Sequence, residues 1–466
     1  MKKIKVLLIS PSSGLHLGRV TRPKFQTHPL GLLYLAAELE KDGHSVELCD
    51  AFSFGYDLQH IENRIHSFGP DVIGLTAMTI LAPDAYFIAR RAKAIQPDVL
   101  VVMGGPHATA MPAEALTDGH VDIAVRGEGE RTMCEICEAA ACGRGFDGIA
   151  GITHKVHGQI TVNPDRAPLM DVDSVAMPAY HLLPEVAEYN PPPHWGRRGQ
   201  FASLITSRGC PYGCVFCSVT RAWGKRYRFR STENVMAEMK TLYHRYNARY
   251  FSFRDSTLTL HKPRVVKLCQ AILDEGLAIR WNCNSRPNEV NEEVLGWMKR
   301  AGCETIQFGI ESGDEEILRR FKNLDKERIA RAVALTDAAG IKAHGYFMFG
   351  LPGETCATIA ATIRFAKSLP LYSAGFTTVT PFPGSELWDY CVDRDMITTT
   401  DWAGYDLKGN SVIRYEHFEP RQLLRFQKRA FRQFYMRPGI VLHHLSRIKS
   451  VNDLCNYIKE ATVNLK

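Results

Sequence analysis

The sequence contains no apolar run approaching the ~20 residues a membrane-spanning helix needs. Its opening, MKKIKVLLIS, places lysines ahead of an apolar stretch, but that stretch is only strand-length and no small-residue cleavage site comes after it. It reads as a first β-strand, and a cytoplasmic protein is expected. Charge of one sign is also scarce: Lys plus Arg number 57 against 50 for Asp plus Glu, a surplus that demands no nucleic-acid partner, and none is expected. No GxGxxG comes after the first strand, which argues against a dinucleotide. GLPGE at 350–354 lacks the lysine and Ser/Thr of a phosphate-binding loop and is expected only to turn the chain. The tightest cysteine group, Cys210, Cys214 and Cys217, has no fourth cysteine beside it, so the four ligands of a structural zinc site are not assembled locally.

The chain has 466 residues, 45% hydrophobic and 23% charged, and is long enough for two or three domains. The thirteen cysteines are scattered, which favours reduced thiols over a disulfide framework. In the first third, apolar strands (IKVLLIS, HSVELCD, DVIGLTAMT, VLVVMGG, DIAVRGEGE) alternate with helical patterns such as HPLGLLYLAAELEKDG. The class is α/β, and residues 1–150 are expected to form a doubly wound parallel sheet of Rossmann-like type. Ligands bind such sheets at the carboxyl ends of the strands, where Ser10, Asp50, Thr76, Gly104, Gly105, Gly127 and Gly129 gather. Those glycines serve equally well as turns. Cys134 and Cys137 come next, three apart in a predicted helix, with Cys142 after them; core packing is the expected role and a metal site the alternative.

Residues 151–197 read as a linker containing a hairpin around Gly158 and a proline-rich stretch. From 198 to 395 strand and helix patterns alternate again in six units: FASLITSRG, RYFSFRD, AIRWNCNSR, CETIQFGIES, IKAHGYFMFG and AGFTTVTP. They predict a partial (β/α)6 barrel of TIM type, with polar residues at its C-terminal rim. Residues 396–466 are expected to be a mostly helical region that shapes the substrate pocket. Cysteine thiolates hold iron–sulfur clusters. Three of them, at CxxxCxxC spacing after an apolar strand, leave the fourth iron of a cubane open. A zinc site completed by Cys269, Cys283, Cys303 or a histidine is the rival.

HPLGLLYLAAELEKDGHSVELCDA, GGPHAT and VRGEGE resemble the cobalamin-binding domain of cobalamin-dependent radical S-adenosylmethionine enzymes. SRGCPYGCVFCS, GIESGDEEILRRFKN and FMFGLPGET resemble the radical domain of the same family, of the class B methylase type. The resemblance implies a [4Fe–4S] cluster on Cys210, Cys214 and Cys217, S-adenosylmethionine and cobalamin. It implies that Thr76, Gly104, Gly105, Pro106 and His107 line the corrinoid pocket, with Gly127, Glu128 and Gly129 on the same rim. Phe216 would pack on adenine, Asp255 and its neighbours meet the amino group, Arg286 the carboxylate and Glu311 the ribose, with Asn284 among the cofactor-binding residues. For Asn284, Arg286 and Glu311 a salt bridge at the barrel rim is the alternative. His16 stands in SPSSGLHLG without the aspartate and glycine of a DxHxxG motif, so a loop histidine is expected there.

The activity implied by the resemblance is methylation of an unactivated carbon of a specialised metabolite or lipid, with an electron donor such as flavodoxin or ferredoxin. A cobalamin-dependent radical cyclase or oxidase is the alternative, and a cobalamin-binding sensor or carrier with a structural cluster a second. In the basic C-terminal stretch, Arg425, Lys428, Arg429 and Arg432 suit an acidic or membrane-borne substrate, peripheral membrane contact, or a plain solvated face.

Overall fold

Strands and helices alternate because apolar strand runs buried on both faces need helices on either side. The computed structural model describes residues 2–156, 158–184, 186, 189–192, 200–406 and 412–438. The first sheet has the order β2-β1-β3-β4-β5-β6-β7. Its members are β1 (Lys5–Ser10), β2 (Ser45–Asp50), β3 (Val72–Thr76), β4 (Leu100–Gly104), β5 (Ile123–Val125), β6 (Ile152–Val156) and β7 (Gln159–Val162). The first five are parallel. The hairpin expected in the linker does form, but β6 pairs antiparallel with β5. It therefore extends the first sheet to residue 162 instead of standing apart from it.

Helices α1 (Leu30–Lys41) and α6 (Glu130–Ala141) cover one face of this sheet, and α3 (Leu58–Phe68) and α4 (Ala82–Ile95) the other. The short α2 (Ala51–Phe54) and α5 (Pro106–Ala110) come directly after β2 and β4. Cys137 is buried on the inner face of α6 with Met133 and Ile136, and Cys134 is half-buried against the same core, in keeping with a packing role, but Cys142, just past the helix end, is exposed and does not pack.

The second sheet runs β15-β14-β13-β12-β11-β8, all parallel. Its strands are β8 (Phe201–Leu204), β11 (Tyr250–Phe253), β12 (Arg280–Ser285), β13 (Cys303–Glu311), β14 (Lys342–Phe349) and β15 (Ser373–Thr378). A two-stranded ribbon, β9 (Ser207–Arg208) with β10 (Arg228–Phe229), flanks the cysteine loop. Helices α7 (Val219–Trp223), α8 (Thr232–Arg245), α9 (Lys262–Asp274), α10 (Glu292–Arg300), α11 (Glu315–Lys322), α12 (Lys326–Ala338), α13 (Cys356–Ser368), α14 (Glu386–Asp393) and α15 (Pro420–Tyr435) complete the order. The barrel is open, because β8 and β15 do not pair.

Both open edges are met by side chains. On β8 the Ser203 amide donates to His28 Nδ1 at 3.3 Å, and its carbonyl accepts from Tyr180 Oη at 3.0 Å. On β15 the Ala374 amide donates to Tyr435 Oη, the Ala374 carbonyl accepts from the same hydroxyl, and Gln427 Nε2 donates to the Phe376 carbonyl. Unpaired backbone groups at a sheet edge need such partners. α15 thus covers the barrel's side rather than its mouth, and Arg421, Arg425, Lys428, Arg429 and Arg432 lie exposed along it. Among the described residues no helix is long and apolar enough to cross a membrane.

Candidate active site

The cysteine loop leaves β9 through Gly209, whose φ of 83° lies in the left-handed region. A side chain there would collide with the Arg226 carbonyl, so this turn requires glycine. The Cys210 amide donates to the Gly224 carbonyl and the Cys217 amide to that of Cys214, closing the loop on itself. Burial pushes the Cys217 thiol up to about 11 and raises Cys210 as well. The positive charges of Arg286 and Lys322 oppose that rise at Cys210, and Lys322 does so at Cys217. The two cations favour the thiolate form of buried cysteines, and the thiolate is the form that ligates the irons of a cluster.

The zinc rival finds no partner here. Cys269, Cys283 and Cys303 lie together in the packed core, with the Cys303 thiol donating to the Thr305 carbonyl at 3.9 Å. Among the described residues no three His, Cys, Asp or Glu side chains converge on one ion, whereas cysteines on separate corners of a cubane need not converge.

Around the loop the residues expected to meet S-adenosylmethionine divide. Arg286 is buried, with Nη1 3.2 Å from Cys214 Sγ, Nη2 donating to the Lys322 and Asn323 carbonyls, and its plane 4.0 Å over the Tyr212 ring. Phe216 is half-buried, with Lys322 Nζ 5.9 Å from its ring centre. Glu311 ends β13 with φ of 72°, a strained setting for a residue with a side chain. Its carboxylate pairs with buried Lys322 at 2.6 Å. Asn284 Nδ2 donates to the Asp255 carbonyl at 3.3 Å.

Asp255 itself departs from expectation. Its Oδ1 accepts from the Thr206 and Ser207 hydroxyls, and its Oδ2 from the Thr206 amide. Arg264 stands 4.0 Å away. The carboxylate is committed to bracing the strand that feeds the cysteine loop rather than turned towards an amino group.

At the carboxyl ends of the first sheet lies a cleft of about 250 Å³. Thr76, Gly104, Gly105, Pro106, Gly127, Glu128 and Gly129 line it, over apolar walls from Leu8, Leu32, Leu35, Val102 and Met133. Gly105 has φ of 92°, and a Cβ there would come within 2.9 Å of the Ala77 carbonyl oxygen. The opposite wall comes from the barrel domain: Ile205, Arg208, Ala222 and Trp223. An apolar, glycine-floored slot of this kind would suit the nucleotide tail of a corrinoid.

His107 does not reach the cleft. Pro106 begins α5 directly after the Gly105 turn, which buries the His107 ring on the far side. There it meets Tyr86 Oη at 3.1 Å, Glu114 at 2.9 Å and the edge of Trp402. Glu128 does line the cleft, but its carboxylate is engaged: Arg228 donates to both oxygens at 2.9 and 2.6 Å, and the Leu169 amide donates at 2.9 Å. It bolts the halves together. His16, as a loop histidine, pairs through Nδ1 with buried Asp84 of α4 at 2.6 Å.

Spacing and motifs alone do not single out Arg208, Trp223, Arg228 or Lys322. Of these only Arg208 carries a positional clue, standing two residues before the first cysteine.

The model for the B12 binding domain matches residues 17–137, and that for the Radical SAM superfamily matches residues 204–366. An uncharacterised methyltransferase of Pyrococcus horikoshii is 37% identical over 95% of this chain and 95% of its own length. The anaerobic magnesium-protoporphyrin IX monomethyl ester cyclase of Rubrivivax gelatinosus is 26% identical over 90% of this chain and 76% of its own. The radical S-adenosylmethionine methyltransferase TsrM from Kitasatospora setae, solved with cobalamin and a [4Fe–4S] cluster bound, shares the fold. It superposes with a TM-score of 0.74 at 20% identity, over 95% of this chain and 90% of that one.

Proposed function

This chain belongs to the cobalamin-dependent radical S-adenosylmethionine enzymes, and on that premise we propose that it methylates an unactivated carbon of a small molecule. The observation that carries the reading is the shared wall: the glycine-rimmed cleft is closed by Arg208, Ala222 and Trp223, which flank the three cysteines in sequence. When bound, the reduced cluster with S-adenosylmethionine supplies hydrogen-atom abstraction, and cobalamin supplies a transferable methyl group.

Cys210, Cys214 and Cys217 hold three irons. Arg286 brings a guanidinium charge beside the cluster loop, with its Nε still free of a hydrogen-bond partner, which suits a carboxylate. Phe216 offers an apolar face for a flat base, and Glu311, held by Lys322, an acceptor for sugar hydroxyls. Thr76, Gly104, Gly105, Pro106, Gly127 and Gly129 let the backbone approach the corrinoid tail. Arg228 on Glu128 keeps the halves closed and water out. The connection from the first sheet to the barrel starts after residue 162, and α15 belongs to the C-terminal region that follows the barrel. The substrate is a specialised metabolite or lipid, and a flavodoxin- or ferredoxin-type protein supplies electrons. The exposed arginines of α15 offer contact with an anionic membrane surface. Cyclisation or oxidation without methyl transfer is the second reading, favoured by the likeness to a cyclase.

The test is anaerobic reconstitution with iron, sulfide and hydroxocobalamin, then reduction with S-adenosylmethionine and candidate substrates. Methyl transfer yields both 5′-deoxyadenosine and S-adenosylhomocysteine. The first product alone favours the second reading, and neither product with any substrate class overturns both.

A further inference from the structure

We propose that Arg208 is a corrinoid-binding residue that ties occupation of the cleft to the order of the cysteine loop, an inference that rests on the cleft taking cobalamin. Arg208 lies on β9, two residues before Cys210, yet its side chain reaches into the other half of the molecule. The guanidinium sits between Tyr34 of α1, 5.4 Å from the ring centre, and Trp223 of α7, at 5.0 Å. Its Nη2 donates to Glu130 at 2.6 Å. All four residues line the cleft.

The other terminal nitrogen is the informative atom. Nη1 is enclosed and has no hydrogen-bond partner. The nearest carboxylate oxygen, Oε1 of Glu128, is 3.8 Å away, outside hydrogen-bond range, because Arg228 holds it. A buried charged donor with no acceptor is costly, and such groups call for an explanation. Corrinoids carry amide carbonyls around the ring and a phosphodiester in the tail. Either supplies the missing acceptor once the guanidinium, which lines the cleft but keeps Nη1 enclosed, shifts toward the ligand.

The coupling arises in the backbone. Arg208 pairs in register with Arg228 across the ribbon, and Gly209 then turns tightly into Cys210. A shift of the guanidinium to meet a ligand therefore draws on the segment that positions the first cysteine. Linkage requires the effect to run both ways: cleft occupation orders the loop, and an ordered loop tightens the cleft.

The experiment uses the full chain prepared without iron, so that the three thiols are free, and hydroxocobalamin as the probe. Binding is monitored by absorbance, and alkylation of Cys210, Cys214 and Cys217 by iodoacetamide is monitored by mass spectrometry. In the wild type, saturating hydroxocobalamin is expected to slow alkylation at least ~5-fold. Arg208→Gln is expected to weaken binding roughly tenfold or more and to abolish that protection, with Arg208→Lys between the two. Glu130→Gln, which leaves Arg208 in place but loosens it, is expected to reduce protection with the fold intact, and it carries the test if Arg208→Gln does not fold. Wild-type affinity in Arg208→Gln, or unchanged alkylation on binding, overturns the proposal. Failure of the wild type to bind hydroxocobalamin overturns the cofactor reading itself.

Discussion

Nη1 of Arg286 sits 3.2 Å from the sulfur of Cys214, while the plane of the same guanidinium rests on Tyr212, two residues upstream. One side chain thus touches the cysteine loop at two points and anchors to the Lys322 and Asn323 carbonyls behind it. A lysine keeps the charge but loses the fork and the stacking plane. Arg286→Lys is expected to raise the S-adenosylmethionine dissociation constant roughly tenfold or more, measured by equilibrium dialysis on reconstituted protein, with iron content unchanged. Unaltered affinity would remove Arg286 from that site.

Cys214→Ala removes one thiolate from a set of three. Iron and sulfide retained after reconstitution are expected to fall sharply, and 5′-deoxyadenosine formation to cease. Continued cleavage of S-adenosylmethionine by this variant would disprove the cluster assignment.

Glu128 holds Arg228, whose side chain is 2% exposed. Breaking such a pair by removing one partner strands the other charge, at a cost of about 3–5 kcal/mol. Glu128→Gln is therefore expected to destabilise the chain by that order in denaturant unfolding. Glu128→Gln combined with Arg228→Met should recover part of the loss. An additive double variant would show that the pair does not act as a unit.

Two buried groups give the stability opposing pH dependences. Burial pushes the Glu354 carboxyl up to about 7, so between about 7 and its unfolded value near 4.5 the native chain holds the extra proton. Stability from this group rises as pH falls through that window. Burial lowers His28 to about 4, so between about 6.5 and 4 the unfolded chain holds the extra proton and stability falls with pH. Glu354→Gln should remove the first of these contributions, so that of the two only the fall in stability with falling pH set by His28 remains. The full effect amounts to about 3 kcal/mol. A slope unchanged in Glu354→Gln in pH-resolved denaturation would refute the assignment.

The cysteine loop and the alternation of strands and helices in both halves are legible in the sequence because they depend on local spacing and apolar runs. The GLPGE turn is legible too, and the structure supplies its clip: Glu354 accepts from the Gly350 and Leu351 amides. Pairing partners are less so. The 152–162 hairpin is expected, but not its union with β5, since an edge strand's neighbour is fixed by tertiary packing. Asp255 looks available at a strand end. Only the fold brings Thr206, Ser207 and Arg264 onto it. His107 comes after a glycine pair expected to face a ligand, yet helix α5 begins at Pro106 and turns the ring inward. Lys322, the last residue of α11, is buried against Glu311, a pairing that local spacing does not reveal.

The fit of Gln427 and Tyr435 over β15 makes the C-terminal helix a guard against self-association. Stripped of α15, the last strand would present bare amides and carbonyls that a second molecule could zip onto, strand against strand. A chain ended before residue 420 is accordingly expected to form higher-order species in light scattering. The same loss is expected from Gln427→Leu with Tyr435→Phe, which keep the apolar bulk and delete only the polar hooks.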